Sequence, residues 1–446
     1  MNFYNEGYGS VFEGFGISTR FSRYYQLDTV CPAGQICHLY ATLPEDSSKG
    51  VILNVQTGRD VSSIIIGYDT IANYDEKKAL ANNGTSQSYF VDLEERGARY
   101  VHSVYLGDLE ANTEYYFEVY FNNKMQRSGT YRTLPTETLE RDVLIAAGGD
   151  AGTTANARAM TAVLSNYSLD AILVGGDMAY DNGMRSCYYS IDLFLDMFER
   201  VNKQLKRVVP LMFAIGNHDI GFNAFQDGPV DTTENLYYIY FPQQSKYGDN
   251  GQLVNQVPEL KDRTSYYYHK VGNTVQLSLD SGYILKYDGI QEQFIKNVSE
   301  SNKNLVKMAN FHVPMYPTCF DAKYDDPRTI SDAVKYWGSL FDGYKFASIF
   351  ENHVHLYKKT FPINGGVKVD DGEGVIYFGD GNWGIHPNYC YQARANLNIS
   401  GLVETFSNVT HVWLINISPE TIAHYAVNQT NQIFDQYYNL TVKNYV

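Results

Sequence analysis

The chain has 446 residues, of which 44% are hydrophobic, 15% aromatic and 19% charged. That length is ample for a sizeable core and sets a prior of two to three domains, and the aromatic content argues against disorder. A formal net charge of −15 repels phosphate backbones and anionic lipid, so nucleic acid and membrane surfaces are poor partners. No window approaches about 18 consecutive apolar residues, so nothing is expected to span a membrane.

Residues 1–26, rich in Gly, Tyr, Phe and Asn without a clear period, read as an extended lead segment. From 27 to 135 short alternating runs are separated by turn residues. Val51–Val55, Tyr100–Leu106 and Glu114–Tyr120 are examples, and this spacing predicts an all-β sandwich. The stretch Leu109–Tyr116 resembles the turn-then-tyrosine corner of fibronectin type III-like domains, and Arg132–Pro135 closes the module. The texture then changes, and residues 136–446 read as a second domain. Strand-like Val143–Ala147, Ala171–Val174 and Val208–Ile215 alternate with helical Thr154–Ser165 and Ile191–Gln204. Further apolar runs follow at 275–279, 306–311, 346–350 and 375–378, and the last 40 residues look β-rich. Such alternation predicts a layered α/β domain. The excess of tyrosine, 39 residues, fits strands with half-exposed faces.

Eight Asn-x-Ser/Thr sequons occur, at Asn83, Asn166, Asn297, Asn398, Asn408, Asn416, Asn428 and Asn439. Chance gives roughly four, which favours a secreted or lumenal protein carrying N-linked glycans. Of five cysteines, Cys31 and Cys37 are spaced to close a small loop, Cys319 with Cys390 is a second pairing, and Cys187 is left over. The start, Met1–Glu6, has no basic region and no apolar run, so it is not a signal peptide; we read the leader as missing from this chain.

Five loop motifs follow predicted strands, where open α/β sheets place ligands. They are Gly148-Gly149-Asp150-Ala151-Gly152, Gly175-Gly176-Asp177-Met178-Ala179-Tyr180, Gly216-Asn217-His218-Asp219, the lone His312, and Asn352-His353-Val354-His355. Each puts oxygen or nitrogen donors on a turn, with glycines relieving backbone crowding. Any one has a bland alternative: Gly-Asp is a common turn, and a lone histidine is often a satisfied core residue. Two carboxylates, a phenol, a carboxamide and several imidazoles together suit a pair of metal ions.

The ordered set Asp-x-Gly, Gly-Asp-x-x-Tyr, Gly-Asn-His-Asp, His and His-x-His resembles the purple acid phosphatases of the calcineurin-like metallophosphoesterase superfamily. The likeness covers most of residues 140–430, and Gly379-Asp380-Gly381-Asn382 is similar to a further family loop. It implies a β-sandwich-centred catalytic domain flanked by helices, after a fibronectin type III-like sandwich, and an acid phosphatase acting on phosphate monoesters. In that family Asp150, Tyr180 and His355 would hold Fe(III), Asn217, His312 and His353 a divalent Fe, Zn or Mn ion, and Asp177 would bridge them. A hydroxide generated by the metals would attack phosphorus. His218 would contact the phosphate, and Asp219 would orient His218 or cap a turn. The family's Gly before His-x-His is Asn352 here, preceded by Glu351, and no further histidine follows His312 in its loop. The leaving-group acid is therefore open between His386, Asp321 and Lys323, while His269 reads as structural.

A second reading, from another class, is an extracellular glycoprotein that keeps this fold with little or no activity and builds an assembly. It rests on the aromatic lead segment, on Cys187 and on the missing histidines. A homo-oligomer through residues 1–25 or Cys187 stays open on this reading.

Overall fold

A computed structural model describes residues 31–79, 84–93, 97–183, 185–220, 235–243, 246–247, 253–255, 257–318, 327–379, 381–385 and 401–446. The lead segment, Cys319, Asp321, Lys323, His386, Cys390 and the sequons at Asn83 and Asn398 lie outside those residues.

The N-terminal part is all β: β1 (Ile36–Thr42), β2 (Val51–Gly58), β3 (Ile65–Thr70), β4 (Thr85–Val91), β5 (Arg99–Leu106), β6 (Glu114–Phe121) and β7 (Lys124–Arg132). The period of two is plain in β6, where Tyr115, Phe117, Val119 and Phe121 are buried and the residues between them are not. Cys31 and Cys37 are disulfide-bonded at the start of this region. The Glu110 N–H donates to the Tyr115 phenol oxygen at 2.7 Å, which ties the β6 entry to the preceding turn.

Alternation follows as β8 (Val143–Gly148), helix α1 (Ala155–Val163), β9 (Ala171–Gly175), helix α2 (Tyr188–Leu205) and β10 (Leu211–Ala214). Thr154 caps α1, its hydroxyl accepting from Ala157 N–H at 3.1 Å. Helix α2 buries Ile191, Phe194, Leu195, Phe198 and Val201, a stripe at three- and four-residue spacing, and ends where Lys206 turns left-handed. After the short pair β11 (Lys246–Tyr247) and β12 (Leu253–Asn255) come β13 (Tyr267–Val271), β14 (Thr274–Ser278), helix α3 (Ile290–Ser301), β15 (Val306–Asn310), β16 (Ser348–Phe350) and β17 (Tyr357–Thr360). The hairpin β18 (Ile363–Asn364) and β19 (Val367–Lys368) precedes β20 (Ile376–Gly379), β21 (Val403–Ser407), β22 (His411–Ile417), β23 (Thr421–Asn428) and β24 (Ile433–Thr441).

Two large sheets result, with strand orders β24-β23-β22-β8-β9-β10-β1-β2-β5-β4 and β13-β14-β15-β16-β20-β17-β21, beside a smaller sheet β3-β6-β7. Val143, Ile145, Leu173 and Met212 of the first sheet share one apolar layer with Met308, Phe350, Ile376 and Phe378 of the second. The outer face of the first carries α1 and α2, through Ile172, Phe213, Met160, Phe194 and Phe198. The outer face of the second carries α3 and the helical stretch that holds Trp337 and Phe341. This is the expected helix-flanked β-sandwich. Two features were not expected. The N-terminal strands continue the first sheet, β1 pairing in parallel with β10 at Thr42–Leu211. Many tyrosines are core residues rather than half-exposed strand residues: Tyr40, Tyr131, Tyr180, Tyr188, Tyr238, Tyr240, Tyr357 and Tyr377 are fully buried.

Cys187 is buried, 4% exposed, so it is not presented to a second chain. His269 is structural, its Nδ1 2.9 Å from the Pro44 carbonyl. No helix among the described residues is long and apolar enough to cross a membrane.

Candidate metal centre

The parallel strands β8, β9 and β10 of one sheet and β15 and β16 of the other end at a common edge. Each is followed by one of the five ligand-bearing loops, which converge there. Two groups form. In the first, Tyr180 Oη lies 3.2 Å from Asp150 Oδ1 and 3.1 Å from His355 Nε2, and His355 Nε2 lies 3.1 Å from Asp150 Oδ1. In the second, Asp177, His312 and His353 each offer one donor atom, and the three atoms lie within 4.8 Å of one another. His312 Nε2 stands 3.3 Å from Asp177 Oδ2, 3.9 Å from Asp150 Oδ1 and 3.3 Å from His353 Nδ1. Nitrogens and carboxylate oxygens this close and this buried suit cations at their centre.

Both aspartates divide their oxygens in the same way. Asp150 Oδ2 accepts the His353 N–H at 2.7 Å while Oδ1 faces Tyr180 and His355. Asp177 Oδ1 accepts the His218 N–H at 2.7 Å while Oδ2 faces His312. One oxygen thus ties a neighbouring loop and the other meets the centre. His312 is set by its far nitrogen, whose hydrogen goes to the Gly175 carbonyl at 2.9 Å and leaves Nε2 for the centre.

The backbone here is strained. Asp150, Asp177, Tyr180, His353 and His355 all have φ between 50° and 74°, a left-handed conformation that costs a non-glycine residue about 1–3 kcal/mol. Glycines make the approach feasible. A Cβ on Gly381, itself at φ 74°, would lie 1.8 Å from Asp150 Oδ2, and one on Gly216 would lie 2.2 Å from Asp177 Oδ1. Asn352 fills a space that only glycine neighbours leave open, since a Cβ on Gly149 or Gly175 would meet its amide at 2.3 or 1.9 Å.

Burial alone would depress His312, but Asp177 and Asp150 reverse this and push it up to about 10. Burial likewise opposes ionisation of Asp177, yet His312 and His218 hold it below the usual carboxylate range. His218 itself is held down to about 4 by burial, against the opposing pull of Asp177. The Asp150 and Asp177 carboxylates thus supply the negative charge that draws a proton, or a cation, to His312.

Asn217 sits in the same loop, its Oδ1 accepting from the Tyr283 phenol at 3.3 Å. The Tyr283 ring lies 6.0 Å from that of His312, so the two loops are buttressed together. Asp219 does not orient His218. Its Oδ2 accepts from the N–H groups of Asp177 and Gly216, at 2.9 and 2.8 Å, and its Oδ1 from Met178 N–H at 2.9 Å. These are the contacts of a turn cap. The His218 ring is instead held by Asn182, whose Oδ1 meets Nδ1. Asn182 Nδ2 donates to the Tyr180 carbonyl at 3.0 Å, which fixes the amide's orientation.

Asn182 and Tyr283 escape a reading of the sequence. Asn182 looks like a turn residue, and Tyr283 follows β14, a strand whose end carries no acidic or histidine pair beyond Asp280. The one signal Tyr283 carries is its place just past the end of an apolar strand.

A family model described as calcineurin-like phosphoesterase matches residues 107–357. Among curated proteins, purple acid phosphatase 15 of Arabidopsis thaliana is 24% identical over 305 residues, covering 63% of this chain and 53% of that one. Purple acid phosphatase 18 of Arabidopsis thaliana is 23% identical over 314 residues, covering 68% and 63%. The match thus spans about half to two thirds of these relatives. Among solved structures, purple acid phosphatase PPD1 from yellow lupin (Lupinus luteus) seeds superposes with a TM-score of 0.69 at 16% identity, over 91% of this chain and 74% of that one. PhoD gives 0.58 at 11% identity, over 90% and 91%. At such identities these structures speak for the fold alone. The family match covers more than half of the sequence, and the chain belongs to the calcineurin-like phosphoesterase family.

Proposed function

We propose that this chain hydrolyses phosphate monoesters at a dinuclear metal centre of the purple acid phosphatase kind. The observation that carries the reading is the convergence of two donor groups, Asp150–Tyr180–His355 and Asp177–His312–His353, within 3.9 Å of each other through His312 and Asp150. The first group, with its phenol and carboxylate, would hold Fe(III). The second, with Asn217, would hold a divalent Fe, Zn or Mn ion, and Asp177 would bridge. When bound, such a pair polarises a phosphoryl oxygen and lowers the pKa of water.

The chain's own residues do the rest. Asn182 accepts the hydrogen at Nδ1 of His218, so Nε2, 3.9 Å from Asp177 Oδ2, is the atom that meets the substrate phosphoryl group. Asp219 keeps the second and third ligand loops in register. For the leaving group the reading keeps His386, which follows the loop that lays Gly381 against Asp150. The natural substrate is taken to be a small phosphate monoester.

A visible spectrum with metal analysis tests this. The protein is expected to hold two metals per chain and to show a broad phenolate-to-iron band that Tyr180→Phe removes. Asn182→Leu should keep the band and both metals while lowering turnover of para-nitrophenyl phosphate about 10- to 100-fold. A metal-free protein that cannot be reconstituted would overturn the reading.

We further read the all-β region as fibronectin type III-like, which the Tyr115 corner supports. The chain is read as a secreted or lumenal glycoprotein, supported by the sequons and the Cys31–Cys37 bond. Asn166, Asn297 and Asn408 are exposed. Protein isolated from its source should lose mass on enzymatic deglycosylation, and an unchanged mass would sink that assignment.

A further inference from the structure

Helix α2 packs across the edge where β7 meets the first sheet, and a half-open cleft of about 670 Å³ remains between them. Its floor is apolar, made by Leu39, Phe117 and Val208. Gly129 keeps that floor clear, because a Cβ there would meet the Phe117 ring at 2.7 Å. Its walls are charged. Five cations line it, Arg127, Arg200, Lys203, Lys206 and Arg207, against two carboxylates, Asp196 and Glu199.

Both carboxylates are already engaged. Asp196 takes two hydrogen bonds from Arg200, at 2.6 and 3.0 Å. Glu199 accepts the Leu39 N–H and stands 3.6 Å from Arg127 and 3.9 Å from His38. Lys203 and Lys206 make no side-chain ion pair with any described residue. The C-terminal dipole of α2 offsets about half a unit charge, which leaves most of theirs. Arg207 is held below the usual arginine range by burial and then by Arg132, with Asp170 opposing and Arg141 adding to the repulsion. A chain with net charge −15 therefore carries a local cationic cleft. It lies at the N-terminal end of β10, where Val208 stands, whereas the metal-ligand loop of Asn217 leaves the C-terminal end of the same strand.

We propose that this cleft is a second anion site, built for a small molecule bearing two or more phosphoryl groups. Lys203 and Lys206, with Arg207 beside them, match such a ligand. Arg207 Nη2 also donates to the Ser168 hydroxyl at 3.2 Å and to the Leu169 carbonyl, and the Thr130 hydroxyl donates to the Lys206 carbonyl at 2.8 Å, so Ser128 supplies the hydroxyl on the β7 wall. The inference does not depend on what the metal centre hydrolyses.

The test is calorimetric titration of imidodiphosphate, whose P–N–P link resists hydrolysis, into the metal-loaded protein with its centre pre-filled by orthovanadate. One site per chain is expected to remain, weakening as salt rises. The double variant Lys203→Glu/Lys206→Glu should weaken that site at least about tenfold. Both lysines are exposed, so its circular dichroism and its turnover of para-nitrophenyl phosphate should match wild type. Asp196→Asn, which removes a negative charge from the wall, should tighten the site. Loss of all binding once the centre is filled, or the same affinity in the double variant, would overturn the proposal.

Discussion

Asp177→Asn is expected to cost the protein its paired metals and at least about 10³-fold in kcat/KM, roughly 4 kcal/mol of transition-state stabilisation. The asparagine is the informative replacement. Asp177 Oδ1 is committed to the His218 N–H at 2.7 Å, a bond that an amide oxygen can still accept. What the variant lacks is the negative charge of the carboxylate and an Oδ2 acceptor facing His312 Nε2 across 3.3 Å. The loop should therefore stay in place, with far-ultraviolet circular dichroism unchanged. The two-metal stoichiometry would fall, because His312 and His353 would keep their nitrogens but lose the anion that makes a second cation affordable in a buried site. Metal analysis and phosphatase assay on one preparation decide the matter. Two metals and wild-type turnover in Asp177→Asn would remove Asp177 from the centre.

Lys358→Ala should be the most destabilising single change away from the ligands, by about 3–5 kcal/mol. Lys358 and Glu351 form an ion pair with both side chains at 0% exposure. The ammonium also donates to the Tyr316 carbonyl at 2.9 Å, and the carboxylate accepts the Met315 N–H at 2.6 Å. The pair thus clamps the segment after His312 to the segment before His353. Truncating the lysine removes the cation that faces a fully buried carboxylate. Glu351→Gln/Lys358→Met should recover most of the loss, since a neutral amide can still accept from Met315 and no charge remains. Denaturant unfolding of the three proteins checks the order. A Lys358→Ala loss below about 1 kcal/mol, the range of surface pairs, would show that the clamp contributes little.

Most of this centre could be read from the sequence because its donors follow a local rule. Asp150, Asp177 and Asn217 each come at the end of a short apolar run with glycine beside them, and both features survive in one dimension. His312 has no such company and was readable only from the order of the other motifs. Asn182 and Lys358 carry no local mark. Their partners are set by how loops meet, 36 residues apart for Asn182 and His218, and neither residue type announces itself. The sheets were legible as strands but not as an arrangement. β1 is buried on both faces from His38 to Thr42, and nothing in its sequence says that Thr42 will lie beside Leu211. The departure at Asn352, which looked like a lost glycine, proves to be a filled gap between two glycine-bearing loops. Its Nδ2 donates to the Phe311 carbonyl at 2.9 Å, one residue before His312.

The order of strands in the first sheet has a consequence for how the protein is made. β22 lies between β8 and β23 and pairs with β8 from Trp413–Ala147 to Ile417–Val143. β8 is the strand that delivers Asp150. During synthesis one flank of β8 therefore waits unpaired while some 260 further residues are translated, about 13–50 s at ordinary ribosome speeds. A ribosome stalled before residue 411 would thus display β8 with that flank still open, an unpaired strand edge exposed to other chains.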